Sequence, residues 1–427
     1  MSLRLKGLRA RGLIVSSIFC VFALDLSAQA RDVVCQGGSG SFESLFRTGV
    51  KVSVGAVRNH EFAARACAAK LTWGDRDLTV EPQAWQVDVD AMGIDFGLGS
   101  PAVALQIKRT DIDGFMQYEI YSLKKPPQRL RVITGGDWYS AADTDLDGRV
   151  EIWTDDAAAV NGFDDMPRGA FDFAPPVVLR FEQKRLIDVS AEFQPDYDRR
   201  IAALRAQVGA QQLSDFKHSD GKLKTLYPPT PEEWARLRAT KAKVLEIVWC
   251  YLYSGRQQDA WNALADMWPP ADIDRIRPAI LGALAGGIRR EVDGVSPGLS
   301  SSYKKKRVLI YDRVSDAAPG SNPLAWAYAP GMSGPSKDDM RSFQADTFPV
   351  RILMNRPTPP EGSPASLNTE IPVDLVIDSA GKVRSAKVEG NSDQDLIAAT
   401  AGWKFIPAFK YDKPIASRLR MGITPFQ

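Results

Sequence analysis

The residues of this chain best suited to chemistry lie at 143–151, Asp143-Thr144-Asp145-Leu146-Asp147-Gly148-Arg149-Val150-Glu151. Carboxylates alternate along a short acidic segment, and Gly148 permits the sharp reversal that makes them converge. A hard cation such as Ca²⁺ takes roughly six to eight oxygen ligands, so this donor set suits calcium. Asp143, Asp145 and Asp147 would supply side-chain oxygens, Arg149 its backbone carbonyl, and Glu151 a carboxylate. An Asp-rich turn without metal is the other reading, because Asp and Gly are ordinary turn residues. Asp111-Ile112-Asp113-Gly114 is a degenerate copy, and fewer ligands there predict no metal.

Catalytic chemistry has little support. His60 and His218 are far apart and fit no metal-ligand spacing. G-x-S-x-G, H-E-x-x-H and the phosphate-binding G-x-x-x-x-G-K-[ST] are all absent. The chain is therefore expected not to be an enzyme. An exported hydrolase using a pair of scattered carboxylates is the alternative.

The acidic loop resembles the calcium loops of FG-GAP repeats in integrin-like propellers, which end on an acidic residue at the ninth place. That resemblance implies a strand directly after the loop, as Val150-Glu151-Ile152-Trp153 suggests. Glu151 departs from the family's preferred Asp, and its longer side chain would shift or weaken the metal. An EF-hand would need a bidentate Glu at the twelfth place, where Thr154 stands.

The surrounding elements predict a multidomain α+β protein. Residues 31–195 read as a β-rich domain, a sandwich or a partial propeller-like fold, with the possible calcium loop inside it. Short strands are expected at 49–57, 84–89, 102–108, 116–122, 129–134, 150–154 and 177–181, cut by Gly, Asp, Asn and Pro turns. A helical middle follows at 196–295. Thr230-Pro231-Glu232-Glu233 is a helix start, and Ser254-Gly255 a stop. The next two helices carry Trp261, Leu264 and Met267, then Ile280 and Ile288; a plain helical hairpin with aromatic core residues accounts for the first pair. Residues 296–345 read as linker and irregular chain, with 319–336 a loop.

Residues 1–30 read as a signal peptide. Arg4, Lys6, Arg9 and Arg11 precede a short apolar run, and Ala28-Gln29-Ala30 predicts cleavage after Ala30. Periplasmic or other export follows. An uncleaved segment serving as an anchor is the less favoured alternative, because the run is short and Asp25 interrupts it. Without this segment the chain carries 50 basic and 51 acidic residues, a net charge of −1. So balanced a chain has no bias toward nucleic acid. Among the remaining thiols, an oxidising compartment favours a Cys35–Cys67 pair with Cys250 buried and free.

Residues 346–427 alternate through Ile371 to Ile377, turn at Asp378-Ser379-Ala380-Gly381, and alternate again through Lys382 to Glu389. An Ala-rich helix, the stretch Trp403-Lys404-Phe405-Ile406-Pro407-Ala408, and a last strand at 415–423 complete a ββαβ order. In this order the segment resembles the C-terminal domain of the TonB family of energy transducers. The resemblance implies a protein-interaction module that contacts outer-membrane transporters, in part by adding a strand at a sheet edge. A long Pro-rich spacer and a convincing anchor, usual in that family, are missing. The sequence therefore predicts an exported envelope docking protein. Its partner would be an envelope or outer-membrane protein, with a link to outer-membrane transport.

Overall fold

The computed structural model describes residues 33–58, 65–111, 114–166, 174–223, 230–299, 325–328, 345–355, 371–388 and 394–423. Residues 1–30, His60 and the degenerate loop at 112–113 lie outside them. No helix among the described residues is long and apolar enough to cross a membrane.

Short runs of apolar residues cut by turns fold into three successive antiparallel meanders. After β1 (Cys35–Gln36), the first holds β2 (Phe42–Leu45), β3 (Lys51–Arg58), β4 (Arg65–Trp73) and β5 (Arg76–Ala84) in chain order. The second holds β6 (Gln86–Ile94), β7 (Ala102–Lys108), β8 (Met116–Ser122) and β9 (Arg129–Gly136), with β1 paired on the outer side of β6. The third holds β10 (Tyr139–Ala142), β11 (Glu151–Asp155), β12 (Pro176–Glu182) and β13 (Arg185–Asp188). The β-rich reading of this region therefore holds. Sequence missed β4 and β5: β4 is Ala-rich and β5 carries Pro82, so neither shows a β-branched run. Cys35 and Cys67 are joined as expected, and Cys250 is buried and free.

Helices follow, beginning with the short α1 (Ala157–Val160), then α2 (Gln194–Gln207), α3 (Ala210–Lys217), α4 (Pro231–Tyr253), α5 (Gln257–Met267) and α6 (Ile273–Gly286). The start of α4 is as predicted: Thr230 Oγ1 accepts from Glu233 N at 3.2 Å, and Pro231 needs no donor at the first position. Trp249, Tyr253 and Trp268 are core residues. The helices share that core with Ile152, Val178 and Leu179 of the third sheet, so the boundary expected near 195 is not a break in packing. The chain then returns to the sheet as β14 (Gly294–Val295), parallel to β13. His218 caps the end of α3 through its own turn, with Nδ1 at 2.7 Å from Ser214 O.

The C-terminal region contributes β15 (Ala325–Tyr328), β16 (Val350–Leu353), β17 (Ile371–Ile377), β18 (Val383–Val388) and α7 (Gln394–Thr400). It ends with β19 (Lys404–Ile406), β20 (Ala408–Lys410), β21 (Lys413–Ile415) and β22 (Ser417–Ile423). One sheet runs β15-β22-β17-β18; β22 is antiparallel to β17 and β15 parallel to β22. The region read as a loop at 319–336 thus contains a strand. Trp403 and Phe405 fill the space among Val373, Leu375, Leu396 and Leu419, as their alternation demanded. Gly381 takes φ +87° in the β17–β18 turn, where a Cβ would stand 1.8 Å from Phe405 O.

The C-terminal region packs against the β body. Ile352, Ile406 and Phe409 belong to the core of the first two sheets with Val52, Val87 and Leu105. Lys404 pairs with Asp88 and Lys382 with Asp90, both on β6. Asp88 and Asp90 alternate on one face of a strand buried along nearly all its length. Such carboxylates require cations, and the C-terminal region brings them.

Two outcomes follow. Asp88→Asn leaves Lys404 buried without its counter-charge and should cost about 3–5 kcal/mol, while adding Lys404→Met should restore most of it; urea unfolding of the single and double variants measures both. Reducing the Cys35–Cys67 bridge should cost about 3–4 kcal/mol in the chain-entropy account of its loop; an unchanged melting temperature in reductant would contradict this.

Candidate metal centre

The acidic loop joins β10 to β11. Two antiparallel neighbours in register from Tyr139↔Thr154 to Ala142↔Glu151 bring its ends together. Leu146 at φ 56° and Gly148 at φ 84° turn the chain back on itself. Trp153 Nε1 donates to Thr144 Oγ1 at 2.7 Å and holds the loop against β11.

Asp143, Asp145 and Asp147 each present a carboxylate oxygen within 4.8 Å of the others. Those three of the five sequence-predicted residues converge. Glu151 lies outside that cluster. Its Oε2 accepts from Thr144 N at 3.0 Å, and its Oε1 faces Arg180 at 3.6 Å. Arg180, itself buried, also pairs with Glu182 and Glu192, so it draws Glu151 toward β12. The guanidinium of Arg149 lies on Asp147, with Nε to Oδ2 at 2.7 Å. The side chain of Arg149 is thus a counter-charge to the loop. Glu151 supports the loop backbone through Thr144 N and faces Arg180, while its Oε1 has no hydrogen-bond partner.

The second half of the site was not anticipated. The turn between β17 and β18 sits on the loop. Asp143 N donates to Asp378 Oδ2 at 3.0 Å, and Ser379 Oγ donates to Asp143 Oδ2 at 2.7 Å. Arg384 donates to Thr144 O at 3.1 Å. Sequence marked 378–381 only as a hairpin turn, and nothing local shows that its Asp and Ser face a loop over 230 positions away. The pair Asp88 and Asp90 was the one local signal missed, two carboxylates on the same face of an apolar strand.

Burial and crowding alter these acids. Burial, then Asp378, pushes the Asp143 carboxyl up to about 7, against the opposing hydrogen bond from Ser379. Burial and then Asp145 raise Glu151 to about 8. Burial raises Asp378 to about 6, although Arg384 and backbone N–H groups favour its ionised form.

The donors fit a hard divalent cation. They are oxygens only, and Asp143 is 1% exposed. Its Oδ2 accepts from Ser379 and Gly148 N, whereas its Oδ1 has no hydrogen-bond partner. A buried carboxylate oxygen without a donor is costly, and a cation removes the cost. Asp143, Asp145 and Asp147 are the residues that would hold it.

Compared with protein-family models, curated proteins and solved structures, the chain has no match.

In chelator-treated protein, carboxyls whose folded pKa lies above the unfolded value bind protons more tightly in the folded state. Stability should therefore fall as pH rises from the ordinary carboxylate range, about 4, up to about 8. Calcium at a hundred times its dissociation constant should add about 2.7 kcal/mol by mass action. Asp145→Ala should abolish that gain. Thermal melts with calcium or chelator at both ends of this pH range test it; a calcium-independent melting temperature at the alkaline end would count against a metal.

Proposed function

We propose that this chain is an exported, non-catalytic docking protein of the cell envelope. A calcium-braced β body holds a C-terminal sheet that resembles the interaction domain of the TonB family. The observation that carries this reading is the side of β22 away from β17. The chain's own four-residue β15 occupies it from Ala325↔Ser417 to Tyr328↔Arg420, so a partner strand would take this place by displacing β15. Strand addition supplies affinity through main-chain hydrogen bonds that any extended segment can offer. The hairpin β17-β18, the helix α7 and the final strand β22, with the core around Trp403 and Phe405, support the family resemblance; the short β19, β20 and β21 lie between α7 and β22.

Three successive four-stranded meanders favour a partial propeller over a sandwich for the β body, since such meanders are the unit of a propeller blade. Export is supported by the basic, apolar and A-x-A pattern of residues 1–30, and by the Cys35–Cys67 bridge, which persists in oxidising compartments. The partner is an envelope or outer-membrane protein with an extended segment. The near-neutral exported chain does not favour nucleic acid.

A photo-crosslinking residue at position 420, on β22 where β15 now pairs, should trap a discrete envelope protein in cells. The same probe at position 387, on β18 at the opposite edge, should not. Equal trapping at the two positions, or none at 420, would sink the docking reading.

A further inference from the structure

The turn between β17 and β18 contributes more to the acidic loop than packing. Asp143, Asp378 and Ser379 are each no more than 2% exposed. Asp378 is itself held rigidly, because its Oδ1 accepts from Ala380 N and Lys382 N, each at 2.9 Å. From that fixed position its Oδ2 takes the backbone N–H of Asp143. Ser379 Oγ donates to Asp143 Oδ2, and Gly148 N donates to the same oxygen at 3.1 Å. Both donors thus occupy one oxygen and orient the carboxylate. The other, Asp143 Oδ1, is left buried without a partner.

Charge points the same way. Docking the turn places the Asp378 carboxylate beside Asp143, which already neighbours Asp145 and Asp147. Arg384 and Lys382 face Asp378 from β18 and its approach, but Lys382 is committed to Asp90. A divalent cation on the loop would offset the remaining like-charge repulsion at this contact.

We propose that divalent-cation binding by the 143–151 loop and closure of the C-terminal sheet on the β body are coupled, with Ser379 and Asp378 as positioning residues for the ligand Asp143. This rests on the calcium reading of the loop. Outer-shell groups that orient a ligand change metal affinity by about 10–100-fold when removed. Linkage requires the reciprocal effect, so the cation must strengthen the closed arrangement by the same factor.

The test uses the full chain and calcium alone. Calorimetry should give Ser379→Ala a calcium affinity about 10–100-fold weaker than the parent protein, with Ser379→Thr recovering part of it. Hydrogen exchange over 371–388 in the parent protein should slow on adding calcium. Equal calcium affinity in a folded Ser379→Ala protein would overturn the coupling and leave the calcium reading intact. No calcium binding by the parent protein would remove the calcium reading, and the coupling with it. Should Ser379→Ala fail to fold, the exchange experiment on the parent decides, and unchanged exchange over 371–388 would overturn the coupling.

Discussion

The structure depends on the burial of two carboxylates in β6. Asp88 and Asp90 lie in a strand with almost no exposure, at the centre of the β body. An ionised carboxylate there is tolerable only with a cation and further hydrogen bonds. Asp90 has Tyr118 and Ala141 N as well as Lys382, and Asp88 has Val34 N and Gln106 as well as Lys404. The cations are supplied from the far end of the chain. The β body therefore cannot satisfy its own interior, and the C-terminal region completes it. Phe409 adds an apolar contact to Phe46, 6.2 Å between centroids, beneath Arg47.

This charge arrangement explains why the acidic loop is where it is. The β17–β18 turn that brings Lys382 to Asp90 also brings Asp378 and Ser379 to Asp143. Lysines and carboxylates thus alternate along one contact. Two of the buried acids are neutralised by protein cations, whereas the loop cluster has Arg149 on Asp147 and Arg384 on the Thr144 carbonyl. Among the described residues, the loop is the part of the contact whose donors also suit a metal ion.

The same contact bears on docking. With one face of the C-terminal sheet covered by α7 and Trp403, and its turn buried against the loop, its edges remain the places for strand addition. One edge carries β15 in parallel pairing over four residues. In the proposed docking role an incoming strand would compete with this short segment for the same backbone groups. Short parallel pairing is an undemanding competitor, since it offers few hydrogen bonds.

Local periodicity determined most of the elements. The strands at 102–108 and 116–122, the Thr230 cap of α4 and the hairpin at 371–388 need only neighbours in sequence to form. The converging carboxylates at 143, 145 and 147 were likewise legible, because a tight turn fixes their spacing. Tertiary structure alone decided which side chains meet across the chain. Glu151 turned to Arg180 because β12 pairs beside β11, and Asp378 reached Asp143 because the C-terminal sheet closes on β6. Sequence could not show that the C-terminal region shares a core with the β body. Alternation reveals that a strand has an apolar face and says nothing of what covers it. Nor does it say which distant lysine answers a buried aspartate, since that pairing is a matter of desolvated charge and is fixed only when the two surfaces meet.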